Sequence, residues 1–422
     1  MSYRYFIIRR ALAAVLAGAM SLAAVAQAAE RWTNSWIAPP EPTWSSDFAL
    51  PLGMPAHFEN ATLRQSLRLS VGGERIRLVI DNRYGVKPLK VGRAHVALEE
   101  GGNRAEKGGA WAHFQGADDV LVAAGAKAVS DPISLPVAAG GRLRVDLYLP
   151  QRTQLAGFHW DARERTLLLP GDMSGQLAAA TDGQAFTARA FLSAVMVERS
   201  RTQREPVTVV ALGDSITDGN GSTPGADQRW PDFLARRLAP QDVAVLNAGI
   251  SGNRLLRPGM GESGLARLER DALQQPGVRA LVVLLGTNDI GWPGAAFAPH
   301  EGLVPLEELV GGFRQLVAQA HLRGVRVVAA TLPPFEGALA GTPFEGHYSP
   351  AKEAARQALN AWIRESGAFD AVVDFDRVLR DPARPIRLRA EFDSGDHLHP
   401  NDAGYRAMAQ AVDLEALGLG LH

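Results

Sequence analysis

From about residue 60 to residue 197 the chain alternates apolar and polar positions with a period of two. "TLRQSLRLSV" sets Leu63, Leu67, Leu69 and Val71 on one side and Arg64, Ser66, Arg68 and Ser70 on the other. "RLRVDLYLP" repeats the pattern, with Leu143, Val145, Leu147 and Leu149 against Arg142, Arg144 and Asp146. Successive side chains of a strand point to opposite faces, so each run predicts a strand with one buried face. Gly72-Gly73 and Gly140-Gly141 punctuate the runs as turns. No helical period interrupts them, and residues 30–200 are expected to form an antiparallel β-sandwich.

The segment "ERSRTQREP", residues 198–206, is charged and ends in proline, and it predicts a linker. Beyond it the period changes. Short runs that are apolar throughout ("VTVVAL", "VAVLN", "ALVVLL", "VRVVAAT", "AVVDF") alternate with helical segments. Leu306, Leu309, Val310, Phe313, Leu316, Val317 and Ala320 recur at helical spacing, and Gly324 ends that run. Ser349-Pro350 supplies an N-cap followed by proline at the first helical position. Strands without a polar face, separated by helices, predict a parallel sheet covered on both sides, over residues 201–422.

Chemistry collects where these strands end. "VTVVALGDSITDGNG" runs from a buried strand into Gly213-Asp214-Ser215; "NAGISGN" carries Gly252 and Asn253; "GTNDIG" carries Asn288; "SGDHLHPND" carries Asp396 and His399. Parallel strands present their carboxyl ends on one rim, so these segments converge on one crevice. A serine hydroxyl needs a base to become a nucleophile, and His399 meets that need for Ser215. Asp396, three residues earlier, is placed to orient the imidazole. The amides of Ser215 and Gly252 and the Asn288 carboxamide are the candidate oxyanion donors.

Other residues read more plainly. Asp218 and Asp289 are expected to be hydrogen-bonded loop aspartates, and Asn253 either supports the oxyanion loop or forms an Asx-turn. His397, two residues before His399, should point away from Asp396, and Asn401 should cap the last helix. The "DHLHPND" cluster lacks the further ligands a zinc site needs. His159, His300 and His347 are expected at the surface or satisfied in loops. Trp32, Trp36, Trp44 and Trp160 are expected to pack against neighbours rather than bind sugar.

Composition then sets the compartment. The chain has 422 residues, 46% hydrophobic, with net charge -1 and no cysteine. That balance gives no reason to expect a nucleic-acid partner or an anionic membrane surface. Arg4, Arg9 and Arg10 precede the run "ALAAVLAGAMSLAAVAQ", and Ala26-Gln27-Ala28 offers a cleavage site. Residues 1–29 are therefore read as a secretory signal peptide, with an uncleaved anchor as the alternative. Cleavage removes three arginines and no acid, shifting the charge to about -4. A secreted or periplasmic protein without stable membrane insertion is expected, and it has no disulfides to stabilise it.

The four blocks together resemble the SGNH, or GDSL-type, serine hydrolases, with Ser215, Gly252, Asn288 and His399 at the name-giving positions. "WTNSWIAPP", the β-rich first half and "GSTPGADQRWPDFLARRL" resemble secreted bacterial members with an N-terminal β-domain. Ile216 stands where the family motif has leucine. The resemblance implies a three-layer α/β/α domain with a flavodoxin-like sheet, a Ser-His-Asp triad, and ester hydrolysis without metal or cofactor. Together with export it points to short O-acyl esters, acetyl groups on polysaccharides first, small lipid or aryl esters next. The alternatives are an envelope acyltransferase that modifies glycans and a non-catalytic carbohydrate-binding protein.

Overall fold

The computed structural model describes residues 31–100, 105–176, 183–199 and 205–420. The segment read as a signal peptide and residues 200–204 of the expected linker lie outside the described residues.

The alternating runs form two antiparallel sheets. One holds Arg31–Ile37, Leu192–Arg199, Ile76–Asp81 and Lys127–Val129 in that order. The other runs Gln184–Phe186, Thr166–Pro170, Ala61–Arg68, Arg142–Leu149, Arg93–Glu100 and Ala105–Ala112. In its centre Leu143 opposes Leu67 and Leu147 opposes Leu63. These side chains share one core with Ile76, Leu78, Ile80, Val195 and Val197 of the first sheet. Burying the apolar stripes of both sheets against each other removes each from water, the main driving force for this architecture.

The polar face of the second sheet departs from the sequence expectation, because it too is buried. Arg64 lies opposite Asp146, its Nε donating to Oδ1 at 2.8 Å and its Nη2 to Oδ2 at 3.0 Å. The loop after Pro170 folds over the pair. Arg64 also donates to the carbonyls of Met173 and Gln176, and the Gly175 amide donates to Asp146. A bidentate pair that also meets backbone partners tolerates exclusion from water.

The second half forms a five-stranded parallel sheet: β1 (Val207–Gly213), β2 (Val243–Gly249), β3 (Val278–Leu284), β4 (Arg326–Ala330) and β5 (Ala371–Val373). Its spatial order is 2-1-3-4-5, the flavodoxin-like arrangement. Gly213 of β1 registers with Gly249 of β2 and Leu284 of β3, so three strands end level. The expected helix runs over Leu306–Leu322, with Gly324 left-handed just beyond it. A second, Pro350–Glu365, is capped by the Ser349 side chain accepting from the Lys352 amide. Among the described residues no helix is long and apolar enough to cross a membrane.

The two halves are joined along the edge strand β2. The Val245 amide donates to Ser70 Oγ at 2.7 Å, and Asn34 Nδ2 donates to Gln275 Oε1 at 2.6 Å. Ile37, Val79 and Ala194 pack into the core of the parallel half. Arg142 reaches across to Asp227 and donates to Glu164 at 3.0 Å.

Several titratable groups at this seam are buried. Burial raises the Glu41 carboxyl to about 8. Burial and then Asp227 raise Glu164 likewise to about 8. For His159 burial acts downward, but Asp218, Glu41 and the Pro39 carbonyl outweigh it and hold the imidazole at about 9. Groups with raised pKa hold protons in the folded state that the unfolded chain has released. Their stabilisation is present below the unfolded values and is lost as pH rises through the folded ones. The thermal midpoint of the full chain should therefore fall between about pH 6 and pH 9. A midpoint that rises over that range in a thermal-melt series would contradict this account of the seam.

Candidate active site

The turn after β1 is shaped by close approach. A Cβ on Gly213 would lie 2.0 Å from Thr217 Oγ1 and 2.9 Å from the Leu284 carbonyl, so only glycine fits. Asp214 then caps the short helix Ser215–Asp218, its Oδ1 accepting from the Ile216 amide at 3.0 Å. Its Oδ2 is buried without a partner among the described residues, and burial raises this carboxyl to about 7. Asp214 thus shapes the turn, and Ser215 is the first residue of the helix it caps.

His399 Nε2 lies 2.8 Å from Ser215 Oγ, and its Nδ1 lies 2.6 Å from Asp396 Oδ2. A carboxylate only accepts, which assigns the proton to Nδ1 and leaves Nε2 to accept from the serine hydroxyl. The other oxygen of Asp396 accepts the amides of Leu398 at 2.9 Å and His399 at 2.8 Å. Burial would raise Asp396, but these bonds and the His399 ring hold it well below the usual carboxylate range. The structure therefore brings Ser215, His399 and Asp396 together in series.

His397 is turned away, as expected. Its backbone is left-handed, its side chain is half exposed, and its Nδ1 meets Asp393 Oδ2 at 2.5 Å. Asn401 Oδ1 caps the final helix Asp402–Ala411 through the Ala403 and Gly404 amides. Its Nδ2 donates back to the Glu391 and Asp393 carbonyls, fixing the histidine loop to that helix.

The loops after β2 and β3 complete the rim. Gly252 has a φ of +70°. A Cβ there would fall 2.5 Å from Met260 Sδ and 2.7 Å from the Trp292 ring. Asn288 Nδ2 donates to the Asn253 carbonyl at 3.1 Å, which leaves its second amide hydrogen for another acceptor. Asn253 supports the loop rather than forming an Asx-turn: its carboxamide accepts from Arg267 and donates to the Glu262 carbonyl. Asp289 is a buried loop aspartate that accepts the Leu255 and Leu256 amides. Asp218 is likewise buried and hydrogen-bonded, to His159 and Ser251.

Ser215, Gly252, Asn288 and His399 line one cavity of about 180 Å³. Its remaining wall is largely apolar: Met260, Trp292, Phe297 and Phe344 from the parallel half, and Leu50 and Trp160 from the antiparallel half. Of the four tryptophans, Trp32 and Trp36 lie under the guanidinium groups of Arg77 and Arg189, while Trp44 packs against Phe48 and Phe158. Trp160 both packs and faces the cavity.

Two histidine expectations need correction. His347 is not a surface or satisfied loop residue. It is 2% exposed, it lines the cavity, and its Nε2 has no partner among the described residues. Burial, then Lys352, lowers it to about 3, so the ring is neutral. It rests on Gly291, where any Cβ would collide with it. His159 is also buried, but satisfied on both nitrogens. His300 is exposed as expected. No short motif marks His347 in the sequence; its neighbours come from distant segments.

A flavodoxin-like sheet presents three strand ends beside a serine with a linked imidazole and carboxylate, an arrangement suited to nucleophilic acyl transfer. Residues 211–407 match the GDSL-like Lipase/Acylhydrolase family, and the protein is a carboxylic ester hydrolase. No curated protein matches the chain. Among solved structures the chain is similar to an aryl esterase of M. smegmatis: identity is 18%, covering 50% of this chain and 99% of that one, with a TM-score of 0.39. It is also similar to a carbohydrate acetylesterase from Sinorhizobium meliloti, at 19% identity over 49% of this chain and 95% of that one, with a TM-score of 0.37. A GDSL-like lipase from Bacteroides thetaiotaomicron matches at 20% identity over 51% of this chain and 92% of that one, with a TM-score of 0.37.

The geometry of Gly252 yields a direct test. Gly252→Ala must either displace the Trp292 ring or move the loop out of its left-handed conformation. Turnover of a p-nitrophenyl ester should fall on the order of 10²-fold, comparable to loss of an oxyanion donor. A variant with wild-type kcat would show that this amide has no part in the reaction.

Proposed function

We propose that the protein hydrolyses short-chain O-acyl esters through an acyl-serine intermediate. The observation that carries this reading is the series Asp396–His399–Ser215, with links of 2.6 and 2.8 Å. Ser215 Oγ attacks the ester carbonyl as His399 Nε2 takes its proton. The imidazolium formed is stabilised by Asp396, and it then protonates the departing alcohol. Water, deprotonated by the same nitrogen, releases the acid and restores Ser215. The amides of Ser215 and Gly252 and the free hydrogen of the Asn288 carboxamide serve the oxyanion, where charge develops only after attack.

The cavity bears on the substrate. At about 180 Å³ it is smaller than the ~300–1,000 Å³ of sites for drug-sized ligands, which favours a short acyl group. Apart from the reacting groups its lining is mostly aromatic and aliphatic, which favours a small alkyl or aryl ester. Acetyl groups on glycans form the second reading, supported by Trp160, a partly exposed ring at the cavity against which a sugar can pack. The pattern of residues 1–29 supports action outside the cytoplasm.

Ser215→Ala should lower turnover by on the order of 10⁴ to 10⁶, because nothing else can form the acyl-enzyme. Retention of a tenth of the activity in a folded variant overturns the assignment. Asn288→Ala should cost on the order of 10² to 10³ in kcat with little change in KM. An effect confined to KM would make Asn288 a substrate-binding group instead. Comparing p-nitrophenyl acetate, butyrate and octanoate with an acetylated xylan separates the substrate readings. Higher kcat/KM on the two short aryl esters is expected; acid release from the xylan with weak aryl turnover favours the glycan.

A further inference from the structure

One of the buried histidines that the acyl-transfer chemistry leaves unused sits behind the oxyanion loop. His159 belongs to the short strand Gly157–His159 of the antiparallel half. Its Nδ1 lies 2.9 Å from the Pro39 carbonyl and its Nε2 2.8 Å from Asp218 Oδ1. Both partners are acceptors, so both ring nitrogens carry protons and the ring is an imidazolium. The raised pKa of about 9 agrees with that assignment.

Asp218 ends the helix that Ser215 begins. Its second oxygen accepts from the Ser251 amide at 3.2 Å and from Ser251 Oγ at 2.8 Å. Ser251 immediately precedes Gly252. The strand end before this loop presses on the same helix: a Cβ on Gly249 would fall 2.2 Å from the Asp218 amide nitrogen. Asn247 holds the two together, its Nδ2 donating to the Thr217 carbonyl at 2.8 Å and its Oδ1 accepting from the Gly249 amide at 2.9 Å. Nucleophile helix and oxyanion loop are thus both tied to one carboxylate, whose counter-charge comes from the other half of the chain.

We propose that His159 is a positioning residue for the oxyanion site, acting through Asp218 and Ser251 on the Gly252 amide. The proposal rests on the acyl-serine reading given above. Removing the imidazolium leaves Asp218 as a buried carboxylate without its cation, and such a group draws in water or other donors at the expense of the ones it holds. The loop that carries Gly252 then loses the anchor on Ser251. Because the oxyanion exists only after attack, the loss belongs in kcat rather than in KM.

The test uses the full chain with p-nitrophenyl acetate, and thermal melting to check the fold of each variant. Ser251→Ala and His159→Leu should each lower kcat about tenfold, a part of what deleting an oxyanion donor costs, with KM changed by less than about threefold. His159→Gln keeps an N–H for Asp218 and should recover most of the lost kcat. The double variant His159→Leu/Ser251→Ala should be no slower than the worse single variant, since both break one chain. Losses that multiply, losses confined to KM, or equal losses in His159→Leu and His159→Gln overturn the proposal. Should His159→Leu fail to fold, Ser251→Ala decides alone: it deletes one hydroxyl, and an unchanged kcat overturns the chain. Turnover retained by Ser215→Ala would overturn the acyl-serine reading, an outcome distinct from all of these.

Discussion

The level ending of β1, β2 and β3 is the constraint on which the site depends. Gly213 pairs with Gly249 and with Leu284, so the turns that leave these strands start from one line. A parallel ladder allows no independent adjustment of the three, because shifting one strand by a residue would turn every side chain over. Glycine at Gly213 and Gly249 lets the turns approach one another closely enough for Asp214 and Asp218 to bond to amides within them. Ser215, Gly252 and Asn288 are therefore fixed by backbone register before any of their own hydrogen bonds form.

His399 and Asp396 are placed by different means. They sit on no strand end but on a bend whose amides cap Asp396 and whose flank is tied to the last helix by Asn401. Tyr405 of that helix reaches back to donate to the Asn220 carbonyl, beside the nucleophile turn. The base is thus held to the nucleophile through the helix as well as through the reacting hydrogen bond. Burial and this double attachment hold Ser215 Oγ and His399 Nε2 at hydrogen-bonding distance.

Much of this was legible because it is local. A strand ending in Gly-Asp-Ser, a glycine in "ISGN", an asparagine in "GTND" and an aspartate three residues before a histidine each carry their meaning within a few residues. The strand periods were equally local, and both sheets follow them. What the sequence concealed is made between distant segments. Leu50 and Trp160 reach the cavity from the antiparallel half, and His159 reaches Asp218 across 59 residues of chain. His347 had no motif to mark it, and its burial depends on Gly291 and Phe335. The polar face of the second sheet misled in the same way: alternation predicts which side is polar, but not that a later loop will cover it over Arg64 and Asp146.

The covering of β2 also bears on what the parallel sheet can pair with. β2 is an edge strand, and an open parallel edge in a half-made protein is a template for pairing with another chain. Here Ser70 takes the Val245 amide and Ala244 joins the core of the antiparallel half. The surface that closes the edge belongs to the same chain, so the antiparallel half occupies the place where a second molecule would otherwise add a strand to the sheet that carries the chemistry.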